Sequence, residues 1–255
     1  MAASSSSIVS DIRGAGETVV LVHGALGDYR QWTPIAARLA VAYRVAAISR
    51  RHHWPSPPPP LDTPYTYERQ CDDLLDYLRN GDAPVHLVGH SYGAGIVLLA
   101  ALQAPALMRT LTLIEPPFGS LLPTAAPGLD EEIASRKAML TEVQSLAGAR
   151  DDEGAARTLI DWLQGGPGGF DRLPVNTRRG LIENAGTVGP TFGSPAPEVP
   201  ADRLRELGVP TRVLTGDRTR PYFRAIAKTV ATYVPAAVAA SQFPAWPSSI
   251  QRAAK

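Results

Sequence analysis

The sequence is most telling in what it lacks. It has one cysteine, Cys71, in 255 residues, so no internal disulfide can form and an oxidising compartment is not implied. No charge of either sign dominates: 25 Lys+Arg against 24 Asp+Glu gives a formal charge of +1. With no basic stripe either, neither a nucleic acid nor another polyanion is expected as partner. The longest apolar run, 96–102, falls far short of the roughly 20 residues a membrane-spanning helix needs, so no membrane partner is expected. The Ser-rich segment 1–10 has no basic n-region and no apolar h-region, so it does not read as a signal peptide and a cytoplasmic protein is expected. Histidine is scarce as well. His23, His52, His53, His86 and His90 are all in the first part of the chain, and none follows His90. His52-His53 with scattered carboxylates lacks a ligand spacing such as H-x-x-x-H, so no metal and no cofactor are expected.

What is present is a globular composition, 44% hydrophobic and 19% charged, long enough for one large core or a core plus a cap. Segment 18–22 (TVVLV) is β-branched and continuously apolar, and glycines follow it at 24 and 27. It reads as a buried parallel strand running into a tight loop. Thr33-Pro34 looks like an N-cap with proline at the first helical position. A strand over 43–49 and a proline-stiffened loop over 52–64 follow. Thr66 caps a predicted helix to about residue 80, in which Cys71, Leu74, Leu75 and Leu78 form one apolar stripe. Strand 84–88, helix 92–104 and strand 111–114 complete an alternation that predicts a mostly parallel sheet flanked by helices, an α/β fold. After Pro116-Pro117 the pattern turns helical (133–146, 155–163, 177–184), and strands return at 211–215 and 237–243 around a helix over 222–233. The expected division is a core of 1–115 and 201–255, with a helical cap of 116–200.

The sharpest chemical signal is Gly89-His90-Ser91-Tyr92-Gly93, a G-x-S-x-G placed directly after a strand and before a helix. That context puts Ser91 on a tight strand-to-helix turn as a candidate nucleophile, with the Tyr92 N–H aimed at a developing oxyanion. His23-Gly24-Ala25, after the first parallel strand, is placed to supply a second N–H from Ala25, with His23 beside the substrate or orienting the loop. His86 and His90 read as structural.

These motifs and their order resemble the α/β-hydrolase superfamily over about 18–243, and in particular its small capped esterases and lactonases. Relatives that open epoxides or remove halogens carry Asp at the nucleophile position, so Ser91 implies acyl chemistry on a small or mid-sized ester, thioester or lactone. The resemblance puts the acid at Thr219, which is not acidic. Asp217 lies two residues early, and Glu115, at the end of the strand before the cap, is preferred over it. The same resemblance puts the catalytic histidine at Ser248, and the closing helix of the family is not evident in the tail. A serine there cannot accept a proton near neutral pH. Loss of the base in a serine hydrolase can cost about 10⁶-fold in kcat. His52 and His53 stand as substitute bases, and Trp162 and Phe170 as substrate-binding residues of the cap. A small-molecule-binding protein without turnover is the alternative, and nothing in the sequence specifies an oligomeric state.

Overall fold

The computed structural model describes residues 8–60, 63–123, 128–235 and 238–243. Strands β1 (Val9–Arg13), β2 (Thr18–Val22), β3 (Arg44–Ser49), β4 (Val85–His90), β5 (Met108–Ile114), β6 (Thr211–Gly216) and β7 (Val238–Phe243) form one sheet. Their spatial order is β1-β3-β2-β4-β5-β6-β7. β1 runs antiparallel to β3, and the other neighbours are parallel. Every residue of β2 is buried, as its unbroken apolar run requires of a strand covered on both faces.

Helices α1 (Thr33–Leu39), α2 (Tyr67–Arg79) and α3 (Tyr92–Gln103) follow β2, β3 and β4. The Thr66 side chain accepts from the Arg69 N–H and caps α2, whose Cys71, Leu74, Leu75 and Leu78 face the core. α3 is apolar nearly all round because it is packed nearly all round: nine of its residues are buried. α1 differs slightly from expectation, since Thr33 is its first residue and Trp32 its cap. Asp28 caps the short 3-10 turn Tyr29–Trp32 ahead of it. The edge strand β1 has no counterpart in the sequence reading. Its VSDIR pattern leaves Val9 and Ile12 exposed, and it is a strand because β3 offers it a free edge to pair with.

Between β5 and β6 the described residues contain helices and no strand: α4 (Asp130–Gly148), α5 (Asp152–Leu163), α6 (Val175–Glu183) and α7 (Val188–Gly193). They share an apolar cluster of their own, which includes Met139, Val143, Leu159, Phe170 and Val188. Leu26, from the loop after β2, is the core residue that enters it. Among the described residues the last helix, α8 (Pro221–Tyr233), packs on β6. No helix among the described residues is long and apolar enough to cross a membrane.

The β4–α3 turn and the loop after β2 approach so closely that side chains are excluded between them. A Cβ on Gly93 would lie 2.4 Å from the His23 carbonyl oxygen and 2.6 Å from that of Val22. Gly93→Ala should therefore lower unfolding stability in urea by at least about 2 kcal/mol. Gly148→Ala is the contrast: a Cβ there, at the end of α4, meets nothing within 4 Å and should leave stability within about 0.5 kcal/mol or raise it. Equal midpoints for the two variants would refute this account of the turn.

Candidate active site

Ser91 stands at the turn between β4 and α3 with φ 49 and ψ −119, a conformation that L residues adopt only when their surroundings impose it. Its N–H donates to the Ile114 carbonyl at 2.8 Å, which ties the turn to the end of β5. Glu115, the next residue along that strand, is also at positive φ (53), and its N–H donates to the Leu214 carbonyl at 3.0 Å. Parallel pairing thus sets Ser91 and Glu115 at the carboxyl ends of adjacent strands, where crevices form in such sheets.

A cavity of about 890 Å³ opens there, within the size range of small-molecule sites. Ser91, His90, Glu115, Ala25, Tyr92 and Trp162 are among its lining residues. Leu163, Leu173 and Phe192 from the helical insertion line it as well.

Glu115 is half-buried, and both its carboxylate oxygens have polar neighbours. The Thr219 hydroxyl donates to its Oε1, and the Gly216 N–H approaches the same oxygen at 3.3 Å. Thr219 Oγ1 accepts in turn from the Gly216 N–H at 2.7 Å. Its other oxygen is 3.9 Å from His90 Nε2. Burial pushes the carboxyl upward, but the contacts from His90, Thr219 and Gly216 outweigh it and hold it below the usual glutamate range. The position where the superfamily resemblance placed the acid therefore carries a hydroxyl that anchors a carboxylate from the neighbouring strand. Asp217 is exposed and away from the cavity lining.

His90 was expected to be structural, but its ring lines the cavity. The Gln31 side-chain amide lies 3.2 Å from His90 Nδ1. An amide nitrogen only donates, so Nδ1 carries the lone pair and the Nε2–H faces Glu115. A Cβ built on Gly24 would lie 3.0 Å from His90 Nδ1 and 3.2 Å from Ser91 Cβ, so ring and serine flank the same point.

The loop after β2 is held from behind. His23 is fully buried and absent from the cavity lining, which corrects its expected place beside substrate. Its Nδ1–H donates to the Gly24 carbonyl at 2.8 Å, and its Nε2 accepts the Arg50 N–H at 3.0 Å. Burial first, then the Arg50 charge, push its pKa well below the usual value, so it is neutral in the fold. The Arg50 guanidinium is 3% exposed, and it donates to the Gly24 carbonyl at 3.0 Å and to the Gln70 side chain. It also lies over the Tyr92 ring, 4.9 Å from the centroid. The carbonyl end of the Gly24–Ala25 peptide thus faces a buried cation, and this polarises the N–H at its Ala25 end.

His52 and His53 are not in the cavity lining either, which removes them as substitute bases. His53 is fully buried, with Nδ1 donating to the Gly27 carbonyl at 2.7 Å and Nε2 against the Tyr65 hydroxyl at 2.8 Å. His52 lies against the Pro57 carbonyl at 3.3 Å. Phe170 is also corrected: it is packed inside the insertion's own cluster, under the Arg157 guanidinium, and does not line the cavity. Ser248 lies outside the described residues. Gln31 and Arg50 had no sequence signal, since neither sits in a motif and each acts only through a neighbour distant in the chain.

Comparison with known proteins bears on the family and the fold. A sequence model described as the alpha/beta hydrolase family matches residues 19–248. The chain belongs to the alpha/beta hydrolase family. Over 104 residues the chain is 32% identical to the dihydrolipoyllysine-residue acetyltransferase component of the acetoin cleaving system of Cupriavidus necator, covering 40% of this chain and 27% of that protein. It is 28% identical over 116 residues to bifunctional epoxide hydrolase 2 of Sus scrofa, covering 45% and 21%. The aligned region thus spans a quarter or so of these curated relatives' length. Among solved structures, an alpha/beta hydrolase from Sphaerobacter thermophilus aligns with TM-score 0.72 and 24% identity, covering 96% of this chain and 93% of that one. The enol-lactonase from Burkholderia xenovorans aligns with TM-score 0.69 and 19% identity, covering 97% and 92%. At these identities the structural likeness concerns the fold.

Because the fold lowers the Glu115 pKa, the ionised carboxylate adds stability at neutral pH that is lost as pH falls through the folded-state value. In urea unfolding, the stability gap between the wild-type protein and its Glu115→Gln variant should be widest near about pH 7 and shrink towards about pH 3. A gap that stays constant across that range would contradict the lowered pKa.

Proposed function

We propose that this hydrolase cleaves a small or mid-sized carboxylic ester, thioester or lactone through an acyl-enzyme on Ser91. The observation that carries the reading is the meeting, in one cavity, of a serine at strained φ and a buried carboxylate–imidazole pair. In this reading Ser91 Oγ attacks the substrate carbonyl carbon, and His90 Nδ1, once it exchanges the Gln31 amide for the Ser91 hydroxyl, takes the hydroxyl proton. Glu115 stays ionised and stabilises the imidazolium formed beside it. The N–H groups of Ala25 and Tyr92 receive the oxyanion. Tyr92 opens α3, so its N–H has no acceptor within the helix, and the Ala25 N–H is polarised by Arg50 through the shared peptide. Collapse of the tetrahedral intermediate breaks the bond to the leaving oxygen or sulfur, which regains the proton from His90. Water then repeats the sequence on the acyl-enzyme.

The helices over the sheet edge act as the cap in this reading, and they are latched at two sides of the cavity. Arg30 donates to Asp28 and, at 2.6 Å, to Glu183, while the Asn184 amide reaches Asp28 at 2.8 Å. On the other side, Arg220 forks onto Glu132 at 2.7 and 2.6 Å and donates to the Trp162 carbonyl at 2.7 Å. A cytoplasmic setting goes with this reading, as the buried Cys71 thiol makes no disulfide.

The absence of any histidine after His90 favours a second reading, a ligand-binding protein without turnover. Hydrolysis of p-nitrophenyl butyrate by the wild type, Ser91→Ala and His90→Gln separates the two. Turnover that disappears in Ser91→Ala and falls at least about 100-fold in His90→Gln is the expected result. Equal rates in wild type and Ser91→Ala would reject the hydrolase reading in favour of binding alone. Loss with Ser91→Ala but not with His90→Gln would remove His90 as base.

A further inference from the structure

The charged groups around the cavity do not cancel. Arg30 is satisfied by Asp28 and Glu183, and Arg220 by Glu132. Arg136, on α4, also lines the cavity, yet among the described residues no carboxylate lies within ion-pair distance of it. Glu132, one helical turn before it, is the natural i−4 partner, but both its oxygens are taken by the Arg220 fork. The contact Arg136 does make is with an aromatic face: its guanidinium lies 4.6 Å from the Tyr222 ring centroid. That stacking offsets part of the cost of half-burying a cation and fixes the plane of the group. Its N–H edge remains for an acceptor, since stacking uses only the face of the guanidinium.

Arg136 and Ser91 line the same cavity, as do Tyr67 and Tyr92, whose rings stack with centroids 3.9 Å apart. Around it the walls are apolar, with Met139, Leu140, Leu163 and Phe223 among the lining residues. Arg179 and Arg218 line the cavity as well but are exposed, whereas Arg136 is half-buried. A cavity that combines apolar walls with a half-buried guanidinium lacking a carboxylate partner among the described residues fits a ligand that is apolar for most of its length and bears one planar anion. A carboxylate matches the guanidinium fork, whereas a phosphate with two charges would call on Arg30 and Arg220, which are already engaged.

We propose that the cavity takes esters, thioesters or lactones that carry a free carboxylate, and that Arg136 receives that carboxylate. The identity of the reacting bond rests on the hydrolase reading above; the binding of the carboxylate does not.

The test uses two p-nitrophenyl esters that differ only at the far end: the half-ester of glutaric acid, and the pentanoate, in which a methyl replaces the carboxylate. Binding is measured by calorimetry on Ser91→Ala, and turnover on the Ser91 protein. The glutarate half-ester should bind at least about tenfold tighter than the pentanoate. Arg136→Met should erase that preference, and Arg136→Lys should restore part of it at an unchanged unfolding midpoint. Equal binding of the two esters, no binding of either, or a preference that survives Arg136→Met in folded protein would each overturn the inference. A carboxylate preference in binding with no Ser91-dependent turnover of either ester would leave it standing and reject the hydrolase reading alone.

Discussion

The loop after β2 and the turn after β4 approach with no side chain between them, and the rest of the site hangs on that contact. Gly93 faces the carbonyls of Val22 and His23, and Gly24 faces Ser91 Cβ and the His90 ring. Neither glycine leaves room for a side chain of its own, so the two segments lie close together beside Ser91. The Ser91 φ of 49 is the conformational cost of this arrangement. It is sustained by the bond to the Ile114 carbonyl and by the close packing of α3, which cannot relax away.

Electrostatics is built around the same contact in two layers. Behind the loop, the buried Arg50 guanidinium and the neutral His23 ring both donate to one carbonyl, that of Gly24. In front, Glu115 is kept ionised despite burial because a hydroxyl, an N–H and an imidazole all converge on it. A cation thus lies on one side of the loop and an anion lines the cavity with Ser91 on the other. Such fixed dipoles act strongly because little water intervenes and nothing must reorganise around them.

The helical insertion closes this site with polar latches. It keeps its own apolar cluster and takes Leu26 from the sheet side. The ion pairs of Arg30 and Arg220 then fix it beside the cavity. Arg220 also claims Glu132, and this leaves Arg136 with an aromatic ring in place of a counter-ion.

Much of this could be read from local sequence, because the information was local. Continuous β-branched runs gave the parallel strands, the Cys71–Leu78 stripe gave α2, and G-x-S-x-G between strand and helix gave the turn. Glu115 and Asp217 stayed alternatives along the chain, and burial separated them: one is enclosed by Thr219, Gly216 and His90, the other is exposed. His90 read as structural and lines the cavity, whereas His23, read as lying beside substrate or as orienting the loop, is buried and bonded to the loop backbone. The edge strand β1 was missed because its pairing partner, not its own composition, makes it a strand. The sequence by itself determined the family, the alternation of strands and helices, and the place of Ser91, because periodicity and steric demand on glycine act between near neighbours. Tertiary structure alone decided which carboxylate, which imidazole and which arginine face the cavity, because side-chain direction and ion pairing depend on residues 25 to more than 100 positions away.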